Sequence, residues 1–137
     1  MASRREKYPD TKTFKFYNAN PKGKFTCDCV ARAICTALNE PYENILKEMF
    51  EMSIKTGYEY TDVKCMDKYL ASKGWVKMKQ PRKLNNTKYT GEEFCKIHSG
   101  TYVANIGGHH VVCIKNGKVY DTWDSTDGCI GNYWVKG

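Results

Sequence analysis

A thiol at residue 29, imidazoles at 109 and 110 and carboxylates at 121 and 124 follow one another along this chain in the order nucleophile, base, orienter. A cysteine attacks a carbonyl as its thiolate, a histidine within hydrogen-bond reach carries the proton, and a third group fixes the histidine tautomer. Each residue also has a plainer reading. A helical cysteine is ordinarily a small buried hydrophobe, and a histidine at a strand start is ordinarily a surface or capping group. The elements that hold these residues decide between the two.

Asp28 reads as the N-cap of a helix over 28–38, whose Val30, Ala33, Ile34, Ala37 and Leu38 share one face. Cys29 then falls in the first turn, where unpaired N–H groups and the helix dipole favour a thiolate. Further along, Asn116-Gly117 predicts a two-residue hairpin loop. Counting back from it pairs Lys115 with Lys118, Ile114 with Val119, Val112 with Asp121 and His110 with Trp123. His110 and Asp121 become diagonal neighbours on one face, about 7–8 Å apart at the backbone, close enough for an imidazole–carboxylate bond. The other face offers His109 with Asp124, which stays open as the alternative.

The remaining elements supply a frame. Residues 1–13 are polar and read as a flexible lead-in, 14–17 as a short aromatic strand, and 18–23 as a loop. Pro41 starts a second helix with Ile45, Leu46, Met49 and Phe50 as its apolar stripe. Thr61 caps a third, with Val63, Met66, Tyr69 and Leu70 inward, ending near Gly74 before a strand at 75–78. A fourth helix begins at Thr90 or Gly91 and runs to Ile97, with Glu92 and Glu93 in its first turn. Strands at 101–106, 109–115 and 118–123 follow. Helices first and an antiparallel meander last predict an α+β fold, with residues 14–137 as a single domain of N-terminal helices packed on one C-terminal antiparallel sheet.

Seven cysteines, an odd number scattered over predicted helices and strands, fit free thiols in a reducing compartment better than a disulfide framework. No apolar run approaches the ~20 residues that span a bilayer, and the first residues lack a signal-peptide core, so the expectation is a cytoplasmic protein with no membrane partner. The net charge of +7 suits an acidic partner, but no nucleic-acid motif accompanies it. Cys27, Cys29, His109, His110 and Cys113 are soft ligands without the spacing of a zinc site, and neither metal nor cofactor is expected.

Together these residues resemble a family. A cysteine heading a helix, a histidine in a strand and an Asp121-Thr122-Trp123 segment in place of Asn-Ser-Trp resemble the papain-like cysteine peptidases. Asn18-Ala-Asn-Pro, Asp28-Cys-Val-Ala-Arg-Ala33 and Gly-His-His-Val-Val are similar to small stand-alone papain-like proteins of phages and Gram-positive bacteria, relatives of the peptidases that cut double-glycine leaders. The resemblance covers roughly 14–40 and 101–124. It implies a papain-like fold and a triad of Cys29, His110 and Asp121, with Trp123 shielding the histidine bond. It also implies a peptide or protein substrate, a host protein among the possible partners, and host cytoplasm as the place of action if the protein is phage-encoded. Two residues depart from the family pattern. Gly23 stands where a glutamine commonly helps hold the oxyanion, leaving Asn20, or else Asn18, to supply that amide; and Asp28 puts a negative neighbour beside the nucleophile. The rival expectation is a binding protein that keeps the shape without the chemistry.

Overall fold

In a computed structural model that describes residues 3–137, helices precede a six-stranded sheet. Residues 1–2 of the expected flexible segment lie outside the described residues. The rest of that segment contains one helical turn, α1 (Arg4–Lys7), capped by Ser3. β1 (Phe14–Phe16) comes next, then α2 (Cys29–Leu38), α3 (Tyr42–Thr56), α4 (Val63–Ser72), β2 (Trp75–Met78) and α5 (Gly91–Ile97). Strands β3 (Thr101–Ile106), β4 (His110–Lys115), β5 (Lys118–Asp121) and β6 (Ile130–Lys136) complete the chain.

The helices stop where the backbone can turn left-handed: Asn39 (φ 55°) after α2 and Gly57 (φ 82°) after α3. Thr90 and Glu93 form a reciprocal capping box on α5. One expected cap is replaced and another keeps its position without the capping bond. Asp62, not Thr61, accepts the Lys64 N–H at the start of α4. Asp28 does sit at the N-cap of α2, but its carboxylate bonds no helix N–H and is spent on side chains instead. Phe50, assigned to the apolar stripe of α3, lies outward at 47% exposure.

The sheet order is β1-β5-β4-β3-β6-β2. All neighbours are antiparallel except β1, which runs parallel to β5, so the sheet is mixed at one edge rather than wholly antiparallel. The hairpin register holds as counted for Lys115↔Lys118 and Ile114↔Val119, with Asn116 and Gly117 both at positive φ. β6, which sequence reasoning did not foresee, is inserted between β3 and β2.

Both faces are covered. On one, Ile34, Met49, Met66 and Leu70 of α2, α3 and α4 bury against Val103, Val111 and Trp134; on the other, Phe94 and Cys95 of α5 bury against Ile106, Val112, Ile114 and Ile130. Each such aliphatic or aromatic side chain contributes about 1.5–3 kcal/mol on leaving water. The N-terminal helices therefore share the sheet with α5, which takes the opposite face. No helix among the described residues is long and apolar enough to cross a membrane.

Candidate active site

Cys29 is the first residue of α2, half-buried, and its own backbone N–H has no acceptor among the described residues. His110 opens β4, and its Nε2 is 2.5 Å from Asp121 Oδ2 at the end of β5. That leaves Nδ1 as the nitrogen available to the thiol. The Trp123 ring lies beside the imidazole, with centroids 5.0 Å apart. Cys29, His110 and Trp123 line an open cleft of about 490 Å³.

Strand parity alone does not deliver this arrangement. The same-face neighbours Val112, Ile114 and Val119 pack on the α5 side, whereas Asp121 is tied to α2. β4 and β5 pair only from Cys113↔Tyr120 to the turn. Beyond that ladder the side chains of His110 and Asp121 converge at the start of α2.

The tie is Arg32, which sequence reasoning did not single out. Its Nε donates to Asp28 Oδ1 at 2.8 Å and its Nη1 to Asp121 Oδ1 at 3.0 Å. All three residues are buried, at 9%, 3% and 1% exposure. Asp121 Oδ1 also accepts the Thr122 N–H at 2.7 Å. Asp28 Oδ2 accepts from Tyr42 Oη at 2.8 Å and from Asn20 Nδ2 at 3.1 Å. The buried carboxylates are thus fully partnered, as burial demands.

The alternatives fare differently. His109 is exposed in the turn before β4, though on the cleft wall, and Asp124 spends its carboxylate on the Thr126 N–H and hydroxyl. Asn20 and Asn18, expected to supply the oxyanion amide, are turned elsewhere: Asn20 to Asp28, Asn18 to the Lys24 carbonyl, and neither lines the cleft. Among the described residues no three His, Cys, Asp or Glu side chains gather as metal ligands.

Burial pushes the Cys29 thiol up, but hydrogen bonds with His110 and the Val111 backbone, with the charges of His110 and Arg32, outweigh it, and the net shift is downward. Burial pushes His110 down, and Asp121 and Cys29 more than reverse this, to about 9. By contrast burial pushes the thiols of Cys95 and Cys113 up to about 12. The opposed shifts at 29 and 110 favour a thiolate–imidazolium pair.

This pair predicts an unusual pH dependence of stability. Above about pH 6.5 the unfolded pair holds one proton, on sulfur; once the folded thiol has ionised, the folded pair also holds one, on His110. Equal proton counts make that part of the stability flat. Cys29→Ala removes the thiol's share of what raises His110 and leaves Asp121 to oppose burial; with Asp121 holding the folded pKa above the unfolded one, the stabilisation would be complete below about pH 6.5 and drain away as pH rises through the folded value. Urea unfolding from pH 6 to 9 should show the variant losing stability relative to wild type; a constant gap would mean the pair does not ionise as described.

Compared with family models, curated proteins and solved structures, the chain matches none.

Proposed function

We propose that this protein is a papain-like cysteine hydrolase acting on an amide, as a peptidase, isopeptidase or amidase. The observation that carries the reading is the His110–Asp121 hydrogen bond beside a helix-start cysteine whose thiol is shifted down. The Cys29 thiolate attacks the carbonyl carbon, and the unpartnered Cys29 N–H lies where it can donate to the oxyanion. His110 gives its proton to the leaving amine, which departs and leaves a thioester. His110 then takes a proton from water, the hydroxide attacks the thioester, and the thiolate leaves with the acid product. Asp121 holds the imidazole throughout. The reaction draws on no cofactor, and the reading places it in the cytoplasm on a peptide or protein substrate.

One observation favours a second reading. With Asn20 bonded to Asp28, no side-chain amide among the described residues lines the cleft for an oxyanion, as expected of a papain-like binding protein of phage origin that grips a host protein without cleaving it.

Limiting iodoacetamide at pH 6 to 7 with mass-spectrometric mapping separates the two. Cys27 and Cys129 are the exposed thiols and serve as internal references. The hydrolase reading expects Cys29 to label fastest, His110→Ala to slow it at least tenfold, and His109→Ala to leave it within about twofold, because only the thiolate reacts. Uniform slow labelling of all accessible thiols would leave the binder.

A further inference from the structure

Arg4 is held at the mouth of the cleft from two sides. Its Nε donates to the Thr122 carbonyl at 2.8 Å, one residue past the orienter, and its guanidinium carbon lies 4.7 Å from the Phe25 ring centroid, in the loop before the nucleophile. Its neighbour Arg5 is spent on Asp10 at 2.7 Å. The Arg4 Nη groups have no acceptor among the described residues. Arg4, Arg32, His109 and His110 all line the cleft, and among the described residues no Asp or Glu does. The nearby carboxylates of Asp28 and Asp121 are buried and already satisfied by Arg32. A group entering beside Cys29 therefore meets a pinned guanidinium with free donors, aromatic walls from Phe25 and Trp123, and, among the described residues, no carboxylate.

We propose that the cleft selects amide substrates carrying a carboxylate beside the scissile bond, with the free edge of Arg4 as its receptor. The word substrate rests on the hydrolase reading; the anion preference stands on the cleft alone. A guanidinium fork suits a carboxylate because two parallel N–H donors match its two oxygens, and fixing the fork in advance lowers the entropy lost on binding. Apolar walls flanking a few placed polar donors are the usual make-up of a ligand site. The net charge of +7 would draw acidic chains toward it.

Two neutral-warhead reagents that differ by one charge test this: N-chloroacetyl-glutamate amide and N-chloroacetyl-glutamine amide. Each alkylates a thiolate, forming a carbon–sulfur bond as chloride leaves. The ratio of their rates at Cys29 is read by mass spectrometry against the exposed Cys129, which does not line the cleft. The glutamate reagent should be favoured at Cys29 by about threefold to fivefold, the size of one partly exposed charge pair, and less so as salt is raised. Arg4→Gln should bring the ratio to one, and Arg4→Lys should keep part of it. A ratio near one in the wild type, or one that survives Arg4→Gln, overturns the proposal. Both reagents meet the same thiol, so the ratio is read whether Cys29 is fast or slow. A slow but charge-selective Cys29 would sink the hydrolase and keep the anion site; a fast, unselective one would do the reverse.

Discussion

Replacing Arg32 with Met should lower the unfolding free energy by about 3–5 kcal/mol, the cost of taking one partner out of a buried ion pair. Met keeps much of the length and apolar volume of the arginine stem, so cavity formation is small and the loss comes from the two carboxylates left behind. Asp28 would keep Tyr42 and Asn20 but no cation, and Asp121 would keep Thr122 and only the His110 imidazolium, whose charge it shares with the Cys29 thiolate. For a domain whose whole stability is of the order of 5–15 kcal/mol, that is a large fraction. Arg32→Lys retains the charge without the fork that reaches both acids, and should fall between the two. Urea titration of the three proteins measures this. A loss under 1 kcal/mol for Arg32→Met would mean the bridge is no stronger than a surface pair. The variant should also label more slowly at Cys29, since the Arg32 charge helps hold that thiol down.

Arg32 also shows where sequence reading stops. The i,i+4 spacing from Asp28 is visible in the chain, but its other partner is 89 residues away. A cationic residue inside an apolar helix reads as the solvated side until the fold brings Asp121 to it. The same distance hides the fate of Asp28. Its type and position announce a cap, yet three side-chain donors from Asn20, Arg32 and Tyr42 outcompete the helix N–H groups.

What was legible is what short-range pattern determines. The Asn116-Gly117 turn set the β4–β5 register because both positions take positive φ at low cost, and it placed His110 and Asp121 near one another; their contact itself forms beyond the end of that ladder, where Arg32 draws Asp121 to α2. The periodicity of α2 put Cys29 at its first turn. β6 was missed because Gly131 and Asn132 interrupt its apolar alternation. The interruption has a local reason: a Cβ on Gly131 would sit 3.3 Å from the Asn105 side chain, where the β3–β6 register shifts. The parallel pairing of β1 depends on a long connection that no local pattern encodes, although Phe14 is buried as an aromatic strand should be.

The position that most invites comparison with papain-like enzymes is 121, where an aspartate stands for their asparagine. Asp121→Asn should nonetheless cost about 10²-fold or more in Cys29 reactivity near neutral pH, within the range general acid–base groups supply. Oδ1 already accepts from both Arg32 Nη1 and the Thr122 N–H. An asparagine would have to keep its oxygen toward these two donors, because its NH₂ there would face donors with donors. The NH₂ then replaces Oδ2 opposite His110 Nε2. That nitrogen must act as acceptor, the ring is held neutral with its proton on Nδ1, and the imidazolium that balances the thiolate is lost. The largest influence holding His110 up to about 9 against burial disappears with the carboxylate. Sign and window follow: in the wild type, any step that needs the protonated imidazole persists until the pH passes about 9, and in Asp121→Asn it should already be lost by the time the rising pH reaches the ordinary histidine value near 6.5. A pH series of iodoacetamide rates at Cys29, with circular dichroism to verify folding, measures the thiolate, and the NMR titration of the His110 ring measures the imidazolium. If Asp121→Asn kept wild-type rates and the same His110 titration, the amide would be free to turn its oxygen to His110, and Arg32 would not be what fixes the orienter.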